Sequence, residues 1–217
     1  MGFWAHFDAA QQWEQRAEIP IILAMQHFLD SAGVMDAIVL FTESIHPSCV
    51  ITALVPFLCF MGHTRQAVTF AIALGVSDIM NMVYKLIARG DRPYWFDEKI
   101  LQYHSTCEPG WGQPSGHMNA ISGVVLTGIY LYNLNASHPY VQKVFVPLLL
   151  LAGCVSRVST GSHFILQTIL GMCTGYAMAN FGTCNWVQDF FTISLEKSRM
   201  ARTGTYVFVC ENNNFES

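Results

Sequence analysis

Two histidines stand beside cations, glycines and hydroxyls, in three short motifs spread over some eighty residues. The first motif is Lys85, six intervening residues, then Arg92-Pro93. Pro93 cannot continue a helix interior and biases Arg92 away from helical dihedrals, which holds the guanidinium just past a helix end. An Arg fork gives an oxyanion bidentate hydrogen bonds and a Lys ammonium gives it a point charge. The second is Pro114-Ser115-Gly116-His117, fed by a loop that contains Pro109, Gly110 and Gly112. Glycines let backbone N–H groups approach an anion, a helix N-terminus offers further donors, and Ser115 adds a hydroxyl. His117 at the mouth of that nest has the chemistry of a general acid. The third is Ser156-Arg157, five residues, then His163.

Each motif alone has a plainer reading. Basic residues followed by Pro at the end of an apolar helix are commonly membrane-interface anchors. Ser115 alone is an N-cap, and a lone His at a helix start is more often structural than catalytic. Together they carry more weight, because the elements between them alternate in direction.

Those elements are apolar. The chain has 217 residues, 52% of them hydrophobic and 12% charged, against about 25% charged in an ordinary soluble domain. That deficit points to a membrane protein, with room for roughly five to seven spans of ~20 residues. Five segments are expected to span: Cys49 to Gly62, Gln66 to Ala88, Met118 to Leu134, Tyr140 to Ser156 and Phe164 to Phe181. The stretch Ile21 to Phe41 is interrupted by Gln26, His27, Asp30 and Asp36 and fits an interfacial helix better. The expected organisation is an N-terminal interfacial segment over 1–48, a transmembrane core over 49–182, and an atypical tail over 183–217. With consecutive spans alternating, the end of the second, the start of the third and the turn between the fourth and fifth share one membrane face. Parity alone thus gathers Lys85, Arg92, Ser115, Gly116, His117, Arg157 and His163 into one anion site with two titratable rings. One His can attack phosphorus while the other protonates the leaving oxygen, and the cations neutralise the equatorial oxygens.

Within the second segment, Asp78, Asn81 and Lys85 are spaced i, i+3 and i+7 on one helix face. Either Asp78 and Lys85 neutralise each other, or the three line a polar cavity. Net charge is −4 without a basic tract, so nucleic acid is not an expected partner. Seven cysteines without CxxC pairing suggest no zinc site, and no carboxylate cluster for a metal is evident. No cofactor is expected.

The three motifs, in this order, resemble the signature of the type 2 phosphatidic acid phosphatase and vanadium haloperoxidase superfamily, an all-α polytopic transmembrane bundle. Within it, Arg92-Pro93-Tyr94-Trp95, the loop from Cys107-Glu108 to His117, and His163-Phe164 with Gln167 are similar to glucose-6-phosphatase catalytic subunits. Gln167 stands where most lipid-phosphatase relatives carry Asp. The resemblance covers roughly residues 50–185. It implies that His163 is the nucleophile forming a phosphohistidine and His117 the proton donor. Lys85, Arg92, Ser115, Gly116 and Arg157 would hold the phosphate. It further implies a multi-pass protein of the endoplasmic reticulum membrane with its site facing the lumen. The substrate would be glucose 6-phosphate, delivered by a separate glucose-6-phosphate transporter. The family's later spans are expected to be missing from the tail, which holds the apolar stretch TYVFVC. The sequon Asn135-Ala136-Ser137 falls on the face opposite the motifs and is expected to stay unmodified. Two other readings are a phosphatase for lipid or polyprenyl phosphates and a truncated, inactive homologue.

Overall fold

All five expected apolar segments are helices, with limits within a few residues of those read from the sequence. The structure, a computed structural model, describes residues 3–44, 47–103, 109–132 and 138–190. The sequon, Cys107-Glu108 and the tail beyond residue 190 lie outside the described residues. In chain order the helices are α1 (Phe3–Ser31), α2 (Met35–Ser44), α3 (Pro47–Phe60), α4 (Thr64–Ala88), the single turn α5 (Pro93–Phe96) and α6 (Gly116–Leu131). A π-helical turn (Val141–Phe145) then runs into α7 (Val146–Ser159), and α8 (Ile165–Thr183) follows. Among the described residues there is no strand.

The centre is a three-helix unit in which α6 packs on α8 and both pack on α4. Close approach rests on small residues. A β-carbon at Gly171 would collide with the Ser115 carbonyl, and one at Gly175 with the Asn119 carbonyl and the Ser122 hydroxyl. These two glycines, four residues apart on one face of α8, let its backbone lie against the first two turns of α6, as in small-xxx-small packing in membranes. Polar side chains add cross-links. Ser77 Oγ of α4 donates to Asn119 Oδ1 of α6 at 2.9 Å, and Ser122 Oγ donates to the Met172 carbonyl of α8 at 3.1 Å. Leu58 of α3 joins Ala67, Phe70 and Leu74 of α4 in an apolar cluster on which Val124 and Leu131 of α6 also pack.

Among the described residues, two helical stretches are long and apolar enough to cross a membrane by length and composition: Thr64–Phe96, which holds α4, and Val141–Ser159, which holds α7. Their outer faces expose Ile79, Met82, Leu86 and Ile87 on α4 and Leu148 and Leu151 on α7, surface suited to lipid. The inner helices are built differently. α6 has 16 residues, a rise of only ~24 Å, and with α8 it carries the glycines and polar cross-links of the interior. These helices face protein more than lipid and do not need the same hydropathy.

The single interfacial helix expected over 21–41 is instead a bent pair: α1 and α2 meet at 110° across residues 32–34. Together they make a third candidate span or a re-entrant hairpin. Nor is α1 peripheral, since Ile22 shares a buried cluster with Ile100, Val158 and Phe164.

Candidate active site

The first motif leaves α4 through Arg89, whose left-handed backbone (φ 45°) turns the chain and returns its N–H to the Lys85 carbonyl. Arg92 is extended (φ −93°, ψ 152°), the conformation its following proline favours, and Pro93 opens α5. Arg92 is fully buried. Its Nε donates to the Gly110 carbonyl at 2.6 Å, Nη1 to the Ser162 carbonyl at 3.1 Å and Nη2 to the Trp111 carbonyl at 3.4 Å. The guanidinium therefore ties the glycine-rich loop to the turn that carries His163. The sequence placed Arg92 among the phosphate-holding residues; in the structure its guanidinium bonds to loop carbonyls. Beside it Trp95 and Trp111 meet edge to face, 5.9 Å between centroids.

Ser115 is the N-cap of α6, its Oγ accepting from the Met118 N–H at 3.5 Å. Ser115 and His117 are buried. Lys85 Nζ and Asn81 Oδ1 come to 4.0 and 3.6 Å of where a β-carbon on Gly116 would sit. The ammonium thus stands at the amino end of α6, where its charge adds to the helix-end donors. Asp78, one of the three polar residues on that face of α4, is exposed and lines a small cleft with Ser77, Gly116 and Asn119. The face splits, with Asn81 buried and Lys85 half-buried at the end that meets Gly116.

Arg157, fully buried, lies in the last turns of α7. The chain then turns so that the His163 N–H donates to the Arg157 carbonyl at 3.2 Å. His163 is fully buried, and its Nδ1 lies 2.8 Å from the Gly112 carbonyl and 3.3 Å from Gln167 Oε1. Both neighbours are acceptors, so Nδ1 carries the proton, and Nε2 of the neutral ring keeps its lone pair. Gln167 is itself fixed. Its Nε2 donates to the Asp91 carbonyl at 2.7 Å, and its Oε1 accepts from the Phe164 N–H at 3.3 Å. Gly112 must be glycine, since a β-carbon there would lie 2.7 Å from Gln167 Oε1 and 3.1 Å from the Asp91 carbonyl.

Main-chain bonds close the three motifs on each other. Gly112 N–H donates to Gly90 O at 2.8 Å, and Ser115 N–H to Gln167 O at 2.9 Å. The convergence expected from parity is thus present in the backbone. Lys85, Arg92, Ser115, Gly116, His117, Arg157 and His163 belong to one end of the bundle, at the start of α6 and α8. Cations, helix-end donors and imidazoles are the residue types that suit a tetrahedral oxyanion. Motif reading missed Glu18 and Gln26 of α1. Glu18 accepts from the Ile165 and Leu166 N–H groups. Gln26 Nε2 donates to the carbonyls of Leu101 and Ser159 at 2.7 and 3.0 Å. Their signal in the sequence was the four-residue step Glu18, Ile22, Gln26, which marks one helix face.

A family model described as the PAP2 superfamily matches residues 66–191, from the start of α4 to beyond α8, and the chain belongs to that superfamily. With its apolar helices, it is a membrane protein of that class. Among individual proteins, it is 30% identical over 159 residues to glucose-6-phosphatase catalytic subunit 1 of Canis lupus familiaris, covering 62% of this chain and 44% of that one. It is 28% identical over 149 residues to glucose-6-phosphatase 2 of Homo sapiens, covering 56% and 41%. The chain thus spans less than half the length of these relatives. The crystal structure of a transmembrane PAP2-type phosphatidylglycerolphosphate phosphatase from Bacillus subtilis aligns with a TM-score of 0.46 at 16% identity, over 78% of this chain and 94% of that one.

Proposed function

We propose that this chain carries the catalytic centre of a membrane glucose-6-phosphatase, acting through a phosphohistidine on His163. The observation that carries the reading is the Gly112 carbonyl at 2.8 Å from His163 Nδ1, which leaves the Nε2 lone pair for attack on phosphorus. Nε2 forms the N–P bond while the P–O bond to the sugar breaks. His117 gives its proton to the departing sugar oxygen. It then takes a proton from the water that attacks the phosphohistidine, and inorganic phosphate leaves. Lys85, Arg157, the Ser115 hydroxyl and the Gly116 N–H hold the phosphoryl oxygens, and Arg92 shapes the loop around them. Motif order, membership of the superfamily and Gln167 beside His163 support this reading.

The hexose 6-phosphate substrate is supported by the glucose-6-phosphatase names of the relatives and the Tyr94-Trp95 pair after Arg92-Pro93. The same likeness supports an endoplasmic-reticulum site facing the lumen, supplied by a glucose-6-phosphate transporter. The test is phosphate release in microsomes from glucose 6-phosphate and from a lipid phosphate, for wild type and His163→Ala. Release from the sugar phosphate by wild type alone is expected. Equal release by the mutant removes the nucleophile assignment, preference for the lipid transfers the substrate to that class, and silence from a correctly inserted wild type removes the activity.

A further inference from the structure

The N-terminal helix lies outside the region matched by the superfamily model, yet its stretch from Glu18 to Gln26 meets the segment around His163. Gln26 holds the near end, its Nε2 donating to the Ser159 carbonyl. Ile22 fills the middle, buried against Val158 and Phe164. Glu18 holds the far end, with Oε2 accepting from the Ile165 N–H and Oε1 from the Leu166 N–H at 3.2 Å. These three residues follow at steps of four, so a single face of α1 spans the turn.

The Glu18 contacts answer a local need. A helix begins with N–H groups that have no carbonyl partner within the helix, and the residue before it commonly supplies an oxygen. The residue before α8 is Phe164, whose side chain has none. The carboxylate that meets the first two N–H groups comes instead from 147 residues away. Those donors lie two and three residues after His163, on the same backbone that sets its ring.

We propose that Glu18 is a positioning residue for His163: by capping the start of α8 from α1, it holds the imidazole at its working angle. This rests on His163 being the phosphate acceptor. The full chain, purified in detergent and reconstituted, supplies the test through Glu18→Ala and Glu18→Gln. Glutamine keeps one acceptor oxygen; alanine keeps none. Glu18→Ala is expected to lower kcat for glucose 6-phosphate about tenfold or more with KM within about twofold, since a displaced nucleophile slows the chemical step more than binding. Glu18→Gln is expected to recover most of that loss. Hydrogen exchange followed by mass spectrometry gives a second readout that needs no activity. Amides in the 163–168 peptide should exchange faster in Glu18→Ala, while those of the α6 and mid-α8 peptides stay as in wild type. Unchanged exchange at 163–168 overturns the cap. Faster exchange with wild-type kcat overturns the positioning role, as does a matching loss in Glu18→Ala and Glu18→Gln when both keep wild-type exchange elsewhere. General loosening of every peptide in Glu18→Ala also overturns it, assigning Glu18 to folding. A wild-type chain that releases no phosphate sinks the hydrolase reading instead, and the exchange comparison still decides whether the cap exists.

Discussion

The carbonyl oxygen of Gly112 faces Nδ1 of His163 at 2.8 Å. A loop glycine and a helix-start histidine, 51 residues apart in the chain, thereby fix a protonation pattern. An acceptor at Nδ1 demands a proton there, so in the neutral ring the lone pair belongs to the other nitrogen.

Gln167→Leu keeps the volume near His163 but strips the Phe164 N–H and the Asp91 carbonyl of their partner. Unmet buried groups cost about 1–3 kcal/mol each, so thermal stability should fall measurably. The ring, still held by Gly112, should lose orientation, and kcat should fall about ten- to a hundredfold. Steady-state kinetics with a melting curve checks both; wild-type kcat would remove Gln167 from the orienting group.

Gly112→Ala forces a methyl to 2.7 Å from Gln167 Oε1. The amide cannot swing away without giving up its bond to Asp91 or its contact with His163. Activity should drop at least about tenfold, and overpacking of this kind costs typically 1–3 kcal/mol. Gly175→Ala strikes the Asn119 main chain and the Ser122 hydroxyl instead. It should damage expression and thermal stability more than Gly112→Ala does, because the whole α6–α8 contact must open. A fluorescence-detected size-exclusion profile would separate the two.

Arg92→Lys and Lys85→Met should part company. Lysine cannot reach the three carbonyls that Arg92 ties together, so Arg92→Lys should lose stability and activity at once. Lys85 stands half-buried beside Gly116, and methionine can replace its stem. Phosphate turnover should fall about a hundredfold or more while the melting temperature moves little.

Much of the site was legible because the needed residue types are costly in an apolar chain. Arg92, Arg157, His117 and His163 stand out against their surroundings, and span parity supplied their shared side. The helix limits followed equally well from apolar runs broken by Gly and Pro. Other features left no such mark. The carbonyl ties of Arg92 depend on the loop path, which periodicity does not encode. Gln26 reads as an interruption in an apolar stretch and Glu18 lies before it, and only tertiary contact turns them into a clamp and a cap. That the small residues of α6 and α8 meet each other was likewise hidden, because an apolar run does not say what each helix face touches. Asp78 shares a helical face with Lys85, yet the packing of α6 leaves one exposed and draws the other inward.

The joints between the three motifs run through peptide groups: Gly90 O to Gly112 N, and Ser115 N to Gln167 O. No single exchange of side chain can delete an amide or a carbonyl, proline at a donor position excepted. What joins the three motifs is therefore a property of the chain path, and a substitution reaches it only by displacing backbone, as a methyl at Gly112 would.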